Sequence, residues 1–374
     1  MRADTDWQDA RNILCVRLDS LGDVLMMTPA MKALKETQPE RRITLLTSKS
    51  GAAIASLVPE VDETIVYDPP WMKATNPPVN SQPEFEMIRH LKRCGFDAAV
   101  IFTTFSQSPL PAALMAFMAD IPLRLAHCRE NPYYLLTHWV KETDHFDEPH
   151  IRHEVRRQLD LVASIGAKTP NESLSLRVPL EAIEQVHKLL MEIGLDVSEP
   201  WLIMHPGATA SSRRYPAEHF AQAAKQLTSL YGFQILFTGT ESEIELVHDI
   251  RSGMNAKSFS LVNQLTLEEF AALISLAPLL VSNNTGPVHI AAALNTPVVD
   301  LYALTNPQHT PWHVPQRVLY HDVPCKYCYK SICPMGHHNC LRMVSPQTVV
   351  EAVLDLCKEI ETSVRGLKSV EQPL

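Results

Sequence analysis

Short apolar runs alternate with longer amphipathic segments through the first half of the chain. Residues 12–18, 42–47 and 98–105 are mostly apolar, which is the pattern of strands buried on both faces of a parallel sheet. Between them, residues 22–38 and 84–94 have the periodicity of helices that cover such a sheet. This order of strands and helices predicts an α/β domain with a doubly wound parallel sheet.

The same alternation begins again in the second half, after a polar and proline-marked stretch near residues 169–200. Amphipathic segments separate its apolar runs, and a last amphipathic segment at 346–361 predicts a closing helix. We expect the final dozen residues to be disordered. The strands predicted in this half are residues 201–205, 234–238, 279–282 and 297–302.

Two doubly wound α/β units in tandem are therefore predicted. We place an N-terminal domain at residues 1–180 and a C-terminal domain at 181–345. Residues 346–374 should form a helix and tail that pack back on the N-terminal domain. Ligands of such sheets bind beyond the carboxyl ends of the strands, and we expect the site in a cleft between the two units.

One connection departs from this rhythm. Residues 68–83 contain five prolines and are too long for an ordinary loop between two elements of an α/β unit. Loops of this length are often lids or binding loops. We expect this segment, together with the residues around 124–134, to help select the ligand.

Composition and charge limit the range of functions. The 374 residues are 45% hydrophobic, which is ordinary for a folded chain with a sizeable core in each of two domains. A net charge of −9 argues against sequence-independent nucleic-acid binding, which needs a basic surface. No apolar run is long enough to span a bilayer, and no secretory signal is evident. We expect a cytoplasmic protein, and peripheral association with the inner membrane is compatible with this pattern.

The first chemical motif follows the first predicted strand and reads RLDSLGD at residues 17–23. Gly22 permits a tight turn, and Asp23 falls at the start of a helix, where its charge meets the positive end of the helix dipole. Asp23 has two interpretations, a helix cap or a general base. The dinucleotide fingerprint GxGxxG is missing from this turn.

Two segments of the second half carry groups that suit phosphate. The loop at 205–216 offers hydroxyls and the guanidinium of Arg213, although a solvated loop is the simpler interpretation. The turn at 282–289 places Asn284, Thr285 and Gly286 before an apolar helix, which is a typical anion site at a helix N-terminus. His289 lies early in that helix and is either a ligand or a buried structural residue.

A third segment of this half, residues 239–243, follows a predicted strand and ends in Glu243. An acid at this place can bind ribose hydroxyls. It can equally favour the helix N-terminus.

Four of the eight cysteines lie within sixteen residues, at Cys325, Cys328, Cys333 and Cys340. In a reducing compartment such a cluster favours a metal site over disulfides, and four thiolates suit zinc or iron. His337 and His338 are alternative ligands. Free thiols remain the other interpretation.

Together, the segments SLGDVLMMTPA and NNTGPVHIAAALNTP resemble glycosyltransferase family 9, the heptosyltransferase family. The resemblance extends from about residue 13 to residue 357. It implies the GT-B fold, with two Rossmann-like domains facing a central cleft. The first domain, 1–180, would bind the acceptor, with residues 68–83 and about 124–134 helping to select it, and the second, 181–345, would bind the nucleotide sugar. It also implies inverting transfer without a catalytic metal. The autotransporter heptosyltransferases of this family resemble the chain in their four-cysteine iron site, which implies a structural metal here.

The resemblance assigns roles residue by residue. Asp23 matches the catalytic base, and Arg213 falls where the family commonly has a phosphate-binding lysine. Asn284 falls where many members have aspartate, which bears on donor selectivity. The remaining matches are the phosphate ligand Thr209, the nucleoside-binding Glu243, the base-packing Leu265 and the phosphate turn of Thr285, Gly286 and His289.

The function implied is transfer of heptose from ADP-heptose to a hydroxyl of a lipopolysaccharide core sugar or another glycan. An autotransporter-type protein heptosyltransferase is an alternative. A GT-B epimerase, which would need no acceptor, and a non-catalytic nucleotide-sugar-binding protein are the others.

Overall fold

The computed structural model describes residues 6–73, 75, 79–144 and 151–370, and for residues 363–370 it describes the backbone only. The chain forms two compact units, Met1–Arg177 and Val178–Leu374. The division lies close to the domain boundary expected at residues 180 and 181. No helix within the described residues has the length and apolar character needed to cross a membrane.

Each unit contains one six-stranded sheet, and the neighbouring strands pair in parallel. The strands are β1 Asn12–Arg17, β2 Arg42–Thr47, β3 Glu63–Val66, β4 Ala98–Ile101, β5 Leu123–Cys128, β6 His138–Lys141, β7 Trp201–His205, β8 Gln234–Phe237, β9 Phe259–Ser260, β10 Leu280–Asn283, β11 Val298–Leu301 and β12 Gln316–Leu319.

Helices follow most of these strands and connect them. They are α1 Leu21–Met26, α2 Thr28–Thr37, α3 Lys49–Ala55, α4 Gln82–Cys94, α5 Leu110–Met118, α6 Glu154–Ala163, α7 Leu180–Glu192, α8 Ala217–Tyr231, α9 Ile244–Met254, α10 Leu267–Leu276, α11 Gly286–Ala293, α12 Asn339–Arg342 and α13 Pro346–Val370.

The two sheets have the same topology. The first has the order β3-β2-β1-β4-β5-β6, and the second, taken from its other edge, is β9-β8-β7-β10-β11-β12. In each sheet the chain leaves the first strand toward one edge and later returns to the other side of it. The loops after β1 and β4, and those after β7 and β10, therefore diverge and leave a crevice where ligands of open α/β sheets bind.

The cores explain why the apolar runs are continuous. Leu14 and Val16 of β1 and Ile101 of β4 are almost fully buried among the helices of the first unit. In the second unit, β7 and β10 have the same position, with residues such as Met204 and Val281 inside. Strands covered on both faces have no solvent side, so they show no polar alternation.

Two expectations about the helices need correction. The predicted helix at 22–38 is two helices, because Met27 ends α1 and Pro29 stands in the first turn of α2. The packing of residues 346–374 on the N-terminal domain stays a prediction. The buried face of the described part of α13 belongs to the core of the second unit, where α13 contacts α8, and consists of Val349, Val350, Val353 and Leu356.

The tail is also more ordered than expected. Helix α13 continues to Val370, well into the final dozen residues.

Candidate functional site

The turn between β1 and α1 holds the carboxylate of Asp23 from three directions. Its Oδ1 accepts a hydrogen bond from Nη2 of Arg17 at 2.9 Å. Its Oδ2 accepts from the backbone N–H of Ser20 at 3.1 Å and from the Ser20 hydroxyl at 2.6 Å. Asp23 is thus the third helical residue of a capping box, and its side chain is 13% exposed. Capping and an accessible carboxylate coexist in this geometry.

Arg17 lies at the end of β1 with a fully buried side chain. Its guanidinium contacts three carboxylates, those of Asp19 at 3.1 Å, Asp23 at 2.9 Å and Glu154 at 2.9 Å. Burial alone would lower the pKa of Arg17, but these carboxylates raise it. The guanidinium therefore stays charged and fixes the two carboxylates of the β1–α1 turn relative to each other.

A second buried arginine extends this network. Nε of Arg157 donates to Glu142 at 2.5 Å, and Nη1 donates to the backbone carbonyl of Thr103 at 2.5 Å. Gln158 donates to the same carbonyl at 3.0 Å and to Glu154 at 2.6 Å. Helix α6 thereby ties the loop after β4 to the turn after β1.

Asp19 is a site residue that the sequence analysis did not single out. The Gln107 side chain donates a hydrogen bond to its Oδ1 at 2.6 Å, which joins the loop after β4 to the loop after β1. Burial raises the pKa of Asp19 to about 6, against the lowering effect of Arg17. Its position directly after β1, in the crevice of the first sheet, was the signal that could have identified it.

A cavity of about 230 Å³ lies at this crevice, and Asp19 is in its wall. Two residues of the proline-rich loop, Trp71 and Met72, form part of its apolar side, and the Trp71 ring meets Tyr67 edge to face at 6.0 Å. The full lining is Val16, Leu18, Asp19, Trp71, Met72, Ile101, Phe102, Thr103, Gln107, Ser108, Pro111 and Ala112.

The equivalent crevice of the second unit is braced by Asn283 at the end of β10. Its side chain accepts from the backbone N–H of Tyr215 at 3.0 Å and donates to the carbonyl of Pro206 at 2.7 Å. Both ends of the loop after β7 are thus fixed to β10. Thr209 is exposed on this loop, and Arg213 ends the 3₁₀ turn Ser211–Arg213.

Arg213 differs from the arginine of the first unit. It is half-buried, and among the described residues it forms no ion pair. The 3₁₀ turn itself is held by the cysteine-rich segment. The backbone N–H and the hydroxyl of Ser212 donate to the carbonyls of Ser331 at 3.1 Å and Lys330 at 2.8 Å.

Glu243 approaches the loop after β7 closely. A side chain at Gly207 would collide with the Glu243 carboxylate, so glycine is needed there for this contact. The carboxylate accepts from the backbone N–H of Thr240 at 2.7 Å and from its hydroxyl at 3.0 Å, which completes a capping box. As with Asp23, the capping role predicted as one interpretation is present.

The turn after β10 starts helix α11 with Thr285 as N-cap and Pro287 in the first turn. His289 is buried one turn into the helix. Asn284 is turned inward, and its amide donates to Asp300 of β11 at 2.9 Å and to the carbonyl of His309 at 2.9 Å. Asn284 therefore stabilises the turn through hydrogen bonds to Asp300 and His309.

Asp300 is a second residue that the sequence analysis missed. Its carboxyl is fully buried, and Oδ1 has no hydrogen-bond partner among the described residues. Burial raises its pKa to about 8, although Asn284 and the charge of Arg213 oppose the shift. Nothing in its strand context, VVDL, distinguishes this aspartate from a surface residue at the level of sequence.

The remaining predicted residues are more scattered. Leu265 lies half-buried in the loop between β9 and α10, toward the edge of the second sheet. Arg124, in the segment expected to help select the acceptor, is buried in β5 and donates to the backbone carbonyls of Leu135 at 2.7 Å and Tyr134 at 3.0 Å. Its contacts are those of a structural residue.

The four clustered cysteines form no finished metal site. Within the described part of the chain, no three His, Cys, Asp or Glu side chains are arranged to hold an ion. Sγ of Cys325 lies 3.6 Å from Nε2 of His337. Although burial opposes it, backbone N–H groups of residues 335–338 hold the pKa of Cys333 below its usual value. N–H groups directed at a sulfur favour the thiolate that metals bind.

The comparisons with known proteins agree with the fold. The model of glycosyltransferase family 9 (heptosyltransferase) matches residues 85–339. Lipopolysaccharide heptosyltransferase 2 of Salmonella typhimurium is 26% identical over 362 residues, covering 93% of this chain and 99% of that protein. The glycosyl transferase family 9 structure from Veillonella parvula has a TM-score of 0.77 at 22% identity, covering 95% of this chain and 99% of that one. E. coli ADP-heptose LPS heptosyltransferase II has a TM-score of 0.72 at 23% identity, covering 94% and 99%.

Proposed function

This chain belongs to glycosyltransferase family 9 and is a glycosyltransferase, and from that premise we propose that it transfers heptose from ADP-heptose to a hydroxyl of a lipopolysaccharide core sugar. The observation that carries the proposal is the pair of sheet crevices with opposite chemistry. One holds accessible carboxylates. The other has the guanidinium of Arg213, which forms no ion pair among the described residues, and the N-terminus of α11. A hydroxyl acceptor needs the first, and a diphosphate donor needs the second.

Asp23 is proposed as the general base. A hydroxyl is a poor nucleophile near neutral pH, and a carboxylate that accepts its proton as the oxygen attacks lowers the barrier. Arg17 and Ser20 fix the carboxylate but leave part of it exposed to an incoming hydroxyl. Attack opposite the leaving diphosphate inverts the anomeric configuration, through a transition state with oxocarbenium character.

The second unit is proposed to bind the donor. Negative charge increases on the diphosphate as the glycosidic bond breaks. Arg213, the Thr209 hydroxyl and the N-terminus of α11 at Thr285 and Gly286 can stabilise that charge without a divalent ion. Glu243 is proposed to accept hydroxyls of the nucleoside, with Leu265 packing near the base and His289 near the phosphates.

The test compares two substitutions of the β1–α1 turn. We expect Asp23→Asn to reduce heptose transfer about 100-fold or more while leaving ADP affinity unchanged, because a general base acts only on the acceptor. Ser20→Ala removes a capping partner of Asp23 but keeps the carboxylate. Comparing the two substitutions therefore distinguishes the role of Asp23 as a base from its role in the capping box. Equal, small effects of both substitutions on transfer would show that Asp23 is a cap alone.

The donor side is tested by the affinity of the protein for ADP. Arg213→Ala should weaken ADP binding about tenfold or more by calorimetry, because a charge-assisted bond to phosphate is lost. Lys225→Ala, which removes an exposed cation of α8, is the matched control. Unchanged ADP affinity in Arg213→Ala would remove Arg213 from the donor site.

We also propose that Cys325, Cys328, Cys333 and Cys340 bind a structural zinc or iron ion. The support is the chemistry of four thiols in one segment, together with the backbone N–H groups that hold the pKa of Cys333 below its usual value. Binding would require the side chains to converge further. Elemental analysis and the visible spectrum of the purified protein should show about one metal per chain, lost in Cys333→Ser. A metal-free protein with four titratable thiols would contradict this.

A further inference from the structure

We propose that the cavity at the β1/β4 crevice binds a single uncharged sugar ring of the acceptor, with Asp19 and Gln107 as its hydroxyl ligands. This inference rests on the proposed function and deepens it, because it names the chemical class that the first unit receives. It concerns Asp19, a carboxylate distinct from the proposed base Asp23.

The position of the cavity is the first argument. The loops after β1 and β4 diverge at the point where the strand order changes direction, which is the general ligand-binding place of open α/β sheets. Leu18 and Asp19 come from the first loop, and Thr103, Gln107 and Ser108 from the second. The volume of about 230 Å³ falls below the roughly 300–1,000 Å³ of pockets for drug-sized ligands, which suits one ring.

The composition of the wall is the second argument. A sugar ring has hydroxyls at its edge and C–H groups on its faces. Trp71, Met72 and Pro111 offer apolar surface for a face, while Asp19 and Gln107 offer a carboxylate and an amide for the edge. A pocket that is mostly apolar with a few placed polar groups is the usual form of a small-molecule site.

The charge of the wall is the third argument, and it sets the specificity. Asp19 is the one charged side chain among the described lining residues, which include no lysine or arginine. The buried ion-pair network behind the wall cannot attract an anion either, since its carboxylates outnumber the guanidiniums that they contact. The carboxylates are Asp19, Asp23, Glu142 and Glu154, and the three guanidiniums that they contact are those of Arg17, Arg152 and Arg157.

An acidic or phosphorylated ring would therefore meet the Asp19 carboxylate, with no lysine or arginine in the described wall of the cavity to bind its own charge. Placing like charges together in a partly buried site is strongly unfavourable, so the cavity should reject anionic rings. A neutral ring can instead donate a hydroxyl to Asp19 and accept from the Gln107 amide, in place of their present mutual hydrogen bond.

The experiment uses two probes that differ at one group. Methyl α-mannopyranoside is neutral, and its uronate carries a carboxylate at carbon 6 of the same ring. Saturation-transfer NMR with the full chain at neutral pH should show binding of the neutral glycoside and about tenfold weaker binding of the uronate. Gln107→Ala should weaken the neutral glycoside about tenfold. Asp19→Asn should narrow the preference between the probes.

Asp120→Asn, an exposed aspartate of the same unit, is the matched control. Because Asp19 belongs to a buried network, thermal unfolding checks each variant, and Gln107→Ala decides the result if Asp19→Asn does not fold. Equal binding of both probes, or binding of the neutral glycoside that Gln107→Ala leaves unchanged, would overturn the inference.

ADP titration of the same samples separates the two proposals. Binding of ADP without binding of the neutral glycoside defeats the sugar cavity and leaves the donor assignment standing. Binding of the glycoside without binding of ADP leaves the cavity standing and defeats the proposed function.

Discussion

The two units have the same strand order, yet the arginine at each sheet crevice differs in its burial and its ion pairs. In the first unit Arg17 is fully buried and shared by three carboxylates, so the crevice presents acid. In the second unit Arg213 is half-buried and forms no ion pair among the described residues. The carboxyl of Asp300 is fully buried, and the charge of Arg213 lowers its pKa against the effect of burial. One topology therefore supplies two places, and a few side chains decide which ligand each can receive.

The protonation of the two acids follows the same contrast. Burial raises the pKa of Asp19 only to about 6, because the positive charge of Arg17 lies 3.1 Å away. Burial raises the pKa of Asp300 to about 8, because Arg213 acts on it only at longer range. At neutral pH the carboxyl of Asp19 is thus mostly charged, while the carboxyl of Asp300 is largely neutral and leaves Arg213 available for an anion.

The largest test of this contrast is removal of the buried cation. Arg17→Met should lower the free energy of unfolding of the first unit by about 3–5 kcal/mol, because three carboxylates would remain without their common partner. Chemical denaturation measures the change, with the two units treated as separate transitions if the curve resolves them.

The control is an arginine of the same unit in an exposed pair. Arg42→Met breaks the contact of Arg42 with Glu63, both of which are more than half exposed. It should cost about 1 kcal/mol or less. If Arg17→Met cost no more than this control, the buried network would not be what defines the first crevice.

The sequence predicted most of the fold because its signals are local. Apolar runs such as 201–205 and the proline of the α11 turn are signals that neighbouring residues carry. The strands predicted in the second half match β7, β8, β10 and β11 to within about one residue at each end, whereas β9 and β12 were not predicted. An amphipathic face such as that of α13 does not by itself identify the surface that it covers, which here includes the core of the second unit.

The candidate site was harder to predict for the same reason. Asp23 and Glu243 stand in recognisable turns, and their capping contacts are sequence-local. The hydrogen-bond partners of Asp19 and Asp300 are distant in sequence. Gln107 follows Asp19 by 88 residues, and Asn284 precedes Asp300 by 16. Only the parallel register of the strands brings such pairs together, so a single sequence does not reveal them.

The smallest test sharpens the other side of the comparison. The folded-state pKa of Asp300, about 8, lies above its usual value of 3.8, so the folded protein keeps a proton that the unfolded chain has released between these values. The stabilisation from this group is complete below the lower value and is lost as pH rises through the upper one. It changes by at most about 1.4 kcal/mol per pH unit.

Asp300→Asn should therefore flatten the decline in unfolding free energy between about pH 5 and 8. Because Asn also accepts from Asn284, the turn should persist and ADP affinity should change little. Parallel stability curves for the variant and the parent chain across this range would mean that Asp300 is ionised at neutral pH. The crevice of the second unit would then carry a buried negative charge beside Arg213, and the contrast between the two units would be lost.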